Sequence, residues 1–378
     1  MRALVLATRY LGPGGIEAYA RCVASALADA GTEVEALSLL NGDAQVESCP
    51  GRYLGHQGRS STPWTHARLL LETVRRGGRY DLVVCAHVAV SPLAALARRM
   101  LGTPYVVVGH GIEVWDRLGW ARRAALRGAR SVLAVSHFTA RRLAAVQGVP
   151  PDRIRVVHPC VDPALLELAD AAPPAVPRAN ATTLLTVGRL SSRERYKGCG
   201  TVIRALPRVA ADAGDVRYVI VGDGDDRPRL ASLARECGVE DRVTFAGWAD
   251  RRGLAAHYRA SDVFVMPSVT ERRSDGWTGE GFGIAYIEAA SFGLPVVAGS
   301  GGGAPEAVRD GVTGLVVDGG DADAVAAALV RLAGDAALRR RMGEEGRAWV
   351  RSHFTFERFR REIRDAVADA WGAAHRGR

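Results

Sequence analysis

Short runs of Val, Leu, Ile and Ala recur along the chain, and several of the stretches between them carry apolar residues at every third or fourth position. Runs at 4–7, 34–40, 82–85, 105–108, 132–135 and 154–157 predict buried strands, and most of them are continuous rather than alternating in apolar character, which predicts cover on both faces. Between the first two, Ile16, Tyr19, Val23 and Leu27 repeat at helical spacing. This alternation predicts a mostly parallel sheet with helices on either side. A proline-rich stretch containing Pro173, Pro174 and Pro177 then interrupts it and reads as a linker. The rhythm resumes with runs at 184–187, 216–221, 243–245, 263–266, 295–298 and 315–317.

The pattern therefore predicts an α/β chain of two doubly wound, Rossmann-like parallel-sheet domains, 1–172 and 181–354, joined by a linker at 173–180. Residues 355–378 add a helix with Phe356, Phe359, Ile363, Val367 and Trp371 on one stripe, expected to pack back on the first domain. A length of 378 residues agrees, being more than one core usually fills. Doubly wound sheets take ligands outside the carboxyl ends of their strands, so two of them predict a site in a cleft.

Composition removes several other classes. No apolar run approaches the roughly 20 residues of a membrane span, and the opening run is too short for a signal peptide, so the expected location is the cytoplasm. Cys22, Cys49, Cys85, Cys160, Cys199 and Cys237 form no Cys-x-x-Cys pair or His/Cys cluster, which indicates core or loop thiols and neither a zinc site nor a disulfide framework. The net charge is +9, and of 50 basic residues only Lys197 is a lysine. An ammonium and a guanidinium are not interchangeable at a tight phosphate site, so this lysine carries more information than any one arginine. The densest basic run holds Arg117, Arg122, Arg123, Arg127, Arg130, Arg141 and Arg142. It reads as a solvated helix face or as a peripheral contact with an anionic inner membrane surface or a phosphorylated acceptor. No aromatic residues are interleaved as a nucleic-acid stacking platform requires.

Three stretches carry candidate chemistry. Gly12, Gly14 and Gly15 make a turn between the first strand and a helix, where free N–H groups attract anions or where the chain simply turns. Arg189, just past a second-half strand, precedes Lys197 by eight residues, and the two cations suit a pyrophosphate. Glu280 and Glu288 bracket a predicted helix opened by Gly281 and Gly283. Eight helical positions separate carboxylates by about 12 Å, whereas a retaining glycosidase pair stands about 5 Å apart. Such a pair can hold the two ends of one elongated ligand but cannot act on one bond.

Together, Gly14-Gly15, His110-Gly111, Val187-Gly188-Arg189-Leu190 with Lys197-Gly198, Val221-Gly222-Asp223-Gly224, Glu280-x7-Glu288 and Gly302-Gly303-Ala304-Pro305-Glu306 resemble glycosyltransferase family 4 over nearly the whole chain. The resemblance implies the GT-B fold, two Rossmann-like domains facing across a cleft, and retaining transfer of a hexosyl unit from a nucleoside-diphosphate sugar, GDP-mannose or a UDP-hexose. Its implied donor contacts are Gly15, Arg189 and Lys197 (diphosphate), Glu280 with Gly281, Phe282, Gly283 and Ile284 (sugar and phosphates), and Glu288 (ribose). His110, Glu280, Arg189 and Lys197 are the implied catalytic set, and Gly14, Tyr19 and His110 the acceptor candidates. No metal and no cofactor beyond the donor co-substrate are expected, and the acceptor is a lipid, a saccharide or a small natural product. Pro159-Cys160-Val161-Asp162 departs from the Asn-Gly-Val-Asp of many relatives, and the polar stretch 271–278 reads as a loop that closes over the donor. Rival readings are a nucleotide-sugar epimerase, a phosphorylase of the same architecture, or a non-catalytic carbohydrate-binding subunit.

Overall fold

The computed structural model describes residues 1–12, 14–40, 51–58, 60–171 and 181–375, with the side chains of Gly77 and of residues past 370 left aside. The linker at 173–180, Cys49 and the Trp371 side chain lie outside that description. The chain forms two compact units, Met1–Pro159 with Phe356–Arg378, and Cys160–Thr355.

The first unit is built on seven parallel strands: β1 (Arg2–Ala7), β2 (Glu33–Leu40), β3 (Arg52–Gly58), β4 (Leu82–Cys85), β5 (Tyr105–Gly109), β6 (Ser131–Ala134) and β7 (Ile154–Val156), in the order β3-β2-β1-β4-β5-β6-β7. Consecutive residues of β1, β4 and β5 are almost wholly buried, as a sheet covered on both faces requires. β3 escapes a reading based on apolar runs, because Arg-Tyr-Leu-Gly-His-Gln-Gly has none. As an edge strand it is specified by partners instead: Arg52 lies in register with Glu35 and pairs with it at 3.1 Å.

The helix Phe356–His375 belongs to this unit and buries Phe359, Ile363 and Val367. Phe359 meets Tyr19 of the helix Gly15–Asp29 edge-on, ring centroids 5.1 Å apart. At its start Arg358 donates to the carbonyls of His158 (2.6 Å) and Pro159 (3.1 Å).

Much of the arginine run serves the fold. Arg123 and Arg127 both donate to the carbonyl of Gln147, whose buried amide donates in turn to Val114 and Asp116. Arg142 donates to the carbonyl of Trp115. Among the described residues no helix is long and apolar enough to cross a membrane.

The second unit has β8 (Thr182–Val187), β9 (Val216–Val221), β10 (Val243–Gly247), β11 (Val263–Met266), the antiparallel pair β12 (Glu271–Arg273) and β13 (Gly276–Thr278), then β14 (Val296–Gly299) and β15 (Gly314–Val317). Six of these make a parallel sheet in the order β10-β9-β8-β11-β14-β15 over a core that includes Leu184, Val202, Leu206, Ile220 and Leu329. The stretch expected to be a loop at 271–278 is thus a small hairpin, short and exposed enough to leave no apolar pattern. Residues 160–171, assigned on sequence to the first domain, sit in this unit. Their helix Pro163–Asp170 buries Leu165 and Ala169, and Asp162 at its cap pairs with Arg251 at 3.1 Å.

Phe359→Ala is expected to destabilise the first unit by about 3–5 kcal/mol, measured by denaturant unfolding followed through that unit's aromatic signal. A loss below about 1 kcal/mol would contradict the docking of the last helix.

Candidate functional site

In each sheet the strand order reverses once, between β8 and β11 in the second unit and between β1 and β4 in the first. Chains leave such a point in opposite directions and open a crevice at the carboxyl ends of the strands. The candidate residues follow those strands, except His110, which follows β5.

After β8 come Gly188 and Arg189, then 3₁₀ turns over Ser192–Lys197 that carry Lys197 back across the strand end. A Cβ on Gly188 would stand only 3.0 Å from the Lys197 ammonium, so glycine is what lets the lysine lie there. The structure brings the two predicted cations onto one anion that sequence reasoning missed. Glu194 pairs with Arg189 at 2.8 Å through one carboxylate oxygen and with Lys197 at 2.9 Å through the other. Lys197 and Glu194 are largely buried, while Arg189 stays 67% exposed. The signal for Glu194 was its place between the cations, three positions before the lysine, a spacing that brings side chains together on a helical turn.

After β11 the chain runs through the hairpin to the helix Ile284–Ser291. Only Glu288 lies on that helix; Glu280 sits four residues ahead of its first turn, which corrects the expectation of one helix joining both carboxylates. The cause is local. Gly283 caps the helix at φ 90°, and a Cβ there would strike the Tyr286 ring. No side chain caps the first turn; the Tyr286 N–H donates to the Gly283 carbonyl at 3.0 Å, and those of Ile284 and Ala285 are left open to an anion. Gly281 and Gly283 thus precede the helix, and Ile284 begins it. Phe282 is buried against Phe354, centroids 5.6 Å apart.

The Glu280 main-chain carbonyl accepts from the Gly303 N–H at 2.9 Å, tying the glycine-rich motif at 302–306 to the backbone of this residue. Burial pushes the Glu280 carboxyl above its ordinary pKa, Lys197 pulls it back, and Glu194 raises it further. Glu280 therefore shares one electrostatic neighbourhood with Lys197 and Glu194. Glu288 accepts a hydrogen bond from the Tyr258 hydroxyl at 2.9 Å. Its carboxyl is pushed up to about 7, chiefly by desolvation, with the Tyr258 bond opposing.

In the first unit Gly14 caps the helix Gly15–Asp29 at φ 146°, again with no side-chain cap. Tyr19 is 2% exposed and its hydroxyl donates to Val157 at 3.0 Å, so what it offers its neighbours is a ring. That ring meets the His110 imidazole edge-on at 5.3 Å. His110 follows β5, and its Nε2 lies 2.7 Å from the Ala86 carbonyl. A carbonyl can only accept, so the proton is on Nε2 and the Nδ1 lone pair remains for another donor. A second histidine, His87, follows β4 at the reversal point and was missed on sequence. Its ring stacks on His110 at 6.2 Å, and its Nδ1 accepts from the Ala89 N–H at 3.1 Å. Desolvation lowers the His87 pKa to about 4, so this imidazole is neutral at ordinary pH.

Two family models match the chain, "Glycosyltransferase Family 4" over residues 13–165 and "Glycosyl transferases group 1" over 181–335. The chain is 37% identical over 297 residues to the GDP-mannose-dependent alpha-(1-6)-phosphatidylinositol monomannoside mannosyltransferase of Mycobacterium tuberculosis, covering 76% of each. It is 30% identical over 372 residues to the D-inositol 3-phosphate glycosyltransferase of Kribbella flavida, covering 88% of this chain and 85% of that one. Among solved structures it is similar to sucrose-phosphate synthase from Thermosynechococcus elongatus (TM-score 0.80, 24% identity, 99% and 100% covered). It is likewise similar to Anabaena HepE in complex with UDP (TM-score 0.81, 21% identity, 97% and 100% covered).

The Glu288 shift gives a testable pH dependence. An acid whose folded pKa stands at about 7, above an ordinary 4.5, holds its proton longer in the folded state, so its contribution to stability is lost as pH rises through that window. Glu288→Gln is expected to unfold at the same denaturant concentration as the native chain near pH 4. Near pH 8 it should be more stable by on the order of 2 kcal/mol, a figure discounted for the partly open carboxyl. A difference that does not change with pH would contradict the burial argument.

Proposed function

The chain belongs to glycosyltransferase family 4 and is a hexosyltransferase that uses a nucleotide-sugar donor on a GT-B fold, and we propose that it transfers mannose from GDP-mannose to an acceptor carrying a phosphorylated inositol. The observation that carries the donor assignment is the cation pair held at one strand end by a carboxylate that a diphosphate can replace. GDP-mannose is favoured over a UDP-hexose by the name of the 37% identical relative. The acceptor reading rests on what the two groups of relatives share in their names, an inositol phosphate, free in one and lipid-linked in the other.

In this reading the donor diphosphate takes the place of the Glu194 carboxylate between Arg189 and Lys197. Further phosphate oxygens meet the open N–H groups around Gly283 and Ile284, with Gly281 and Phe282 leading the chain past them. Glu280 accepts from hydroxyls of the transferred sugar and Glu288 from the ribose diol. As the glycosidic bond breaks, negative charge grows on the leaving phosphate, and donors already fixed in place stabilise it without reorganising. Arg189, Lys197 and the helix start supply that stabilisation with no metal ion in the scheme. The acceptor hydroxyl attacks the face from which the diphosphate leaves and passes its proton to the departing phosphate oxygen, which retains the anomeric configuration. On the first unit, Gly14 and Gly15 present backbone N–H groups, and Tyr19 holds the His110 ring so that its Nδ1 can accept from a sugar or acceptor hydroxyl.

A membrane contact through the basic run has narrower support, since Arg123, Arg127 and Arg142 are engaged with backbone carbonyls. Arg117 and Arg122 remain the residues of the run best suited to it.

Thermal shift with GDP, UDP, ADP and TDP tests the donor. GDP at about 100 times its dissociation constant should stabilise the second unit by about 2.7 kcal/mol, and Lys197→Gln should abolish the shift while keeping the fold. Transfer from GDP-mannose should fall with Lys197→Gln and Glu280→Gln, persist in a chelator, and give an α-linked product by NMR. A shift with UDP alone would overturn the donor assignment, and an inverted product the mechanism.

A further inference from the structure

We propose that the first unit carries a second anion site, for a small phosphomonoester of a polyhydroxylated molecule, at the amino ends of β5–β7. The transfer residues of this unit follow the carboxyl ends of its strands, so the two sites lie at opposite ends of the same sheet. A cavity of about 280 Å³ opens there, with Arg98 and Arg130 toward its floor and Arg153 and Arg155 on its rim, against Asp152 and Asp369. Four guanidinium groups against two carboxylates leave an excess of two positive charges, which suits a dianion.

Arg130 is the observation that asks for a ligand. Among the described residues, five arginines have a buried Nε with no acceptor: Arg130, Arg142, Arg339, Arg347 and Arg358. Four of them anchor their terminal nitrogens on backbone carbonyls, those of Trp115, Leu332, Ala169 and His158 respectively. Arg130 alone of the five makes no side-chain hydrogen bond or ion pair with any described residue. A half-buried guanidinium without a counter-ion is costly, and the cost is relieved when an anion enters beside it.

The neighbouring charges favour phosphate. Arg98 and Arg153 each use a terminal nitrogen on a backbone carbonyl, of Gly128 and Arg127, which fixes their planes and leaves other N–H groups free. Arg155 is held to Asp369 at 3.4 Å, a loose and exposed pair that an anion can outcompete. Several guanidinium forks converging on one space match a tetrahedral oxyanion, which accepts from more of them than a carboxylate can. Asp152, exposed at the rim and without an ion pair among the described residues, would repel a second phosphate but can accept from a hydroxyl. Asp369 lies on the helix Phe356–His375, so an occupant at this cavity also touches the element that closes the first unit.

Because phosphate would also enter the donor site, the test uses the full chain with Lys197→Gln. Inorganic phosphate, glycerol 3-phosphate and glycerol are titrated calorimetrically into it. Glycerol 3-phosphate should bind, glycerol should not, and Arg130→Gln added to Lys197→Gln should weaken binding about tenfold or more. If circular dichroism shows that Arg130→Gln does not fold, Arg155→Gln, at the exposed rim, is expected to weaken binding several-fold. Asp152→Asn, which removes a repelling charge, should raise affinity for inorganic phosphate and lower the preference for glycerol 3-phosphate over it. No binding in the Lys197→Gln chain, or binding that neither arginine substitution weakens, overturns the site. Equal affinity for inorganic phosphate and glycerol 3-phosphate overturns the polyol part of the assignment. Failure here leaves the donor reading untouched, since that reading stands on Lys197 itself.

Discussion

Two positive charges held at the same strand end need an anion between them, and in this chain Glu194 is that anion. Arg189 and Lys197 repel each other if brought together bare, and the repulsion is strongest where water is partly excluded. One carboxylate oxygen for each cation turns the repulsion into a closed network. The rest of the second unit's chemistry follows from it. Gly188 leaves the space the lysine needs, and the turns at 192–197 set the carboxylate at the right height. Glu280, nearby and half-buried, is then tuned in opposite directions by Lys197 and Glu194. A diphosphate carries the same charge type as Glu194 with more oxygens, so binding becomes an exchange of one anion for another, not the burial of a new one.

Topology decides where that network stands. Both sheets reverse strand order once, and the residues that matter hang from the strands flanking the reversal. In the second unit these are Arg189 after β8 and the 268–284 segment after β11. In the first they are Gly14 after β1 and His87 after β4, with His110 one strand further. The two halves use the same solution, a helix start with no side-chain cap, presented once by Gly14 and once by Gly283. A side-chain cap at either position would satisfy the N–H groups internally and close them to a ligand.

What could be read from the sequence was whatever a short window contains. Strands β1 from Ala3 onward, β4, β5 and β11 are continuous apolar runs, and burial on both faces is what such runs mean. β3 was illegible because its specification lies in partners such as Glu35, far away in sequence. The hairpin at 271–278 was read as a loop, since three-residue exposed strands carry no periodicity. Residues 160–171 were placed by their nearness to the proline-rich stretch, while their contacts, Asp162 to Arg251 among them, are with the second unit. At the site, residue types and spacing pointed to Arg189, Lys197, Glu280 and Glu288. They could not reveal that the helix begins only at Ile284, which depends on the Tyr286 ring filling the space beside Gly283. Glu194 and His87 went unseen for a shared reason: a group that acts by neutralising or orienting another shows its role only when distances are known.

The central claim is that the donor diphosphate displaces Glu194, and the affinity of the Glu194→Gln chain for GDP tests it most directly. Glutamine keeps the shape and removes the competing charge, so GDP should bind about tenfold tighter than to the native chain, with a steeper loss of affinity as salt rises. Weaker binding to Glu194→Gln, with the fold intact, would mean that Glu194 holds the cations in place for the donor and is not exchanged for it.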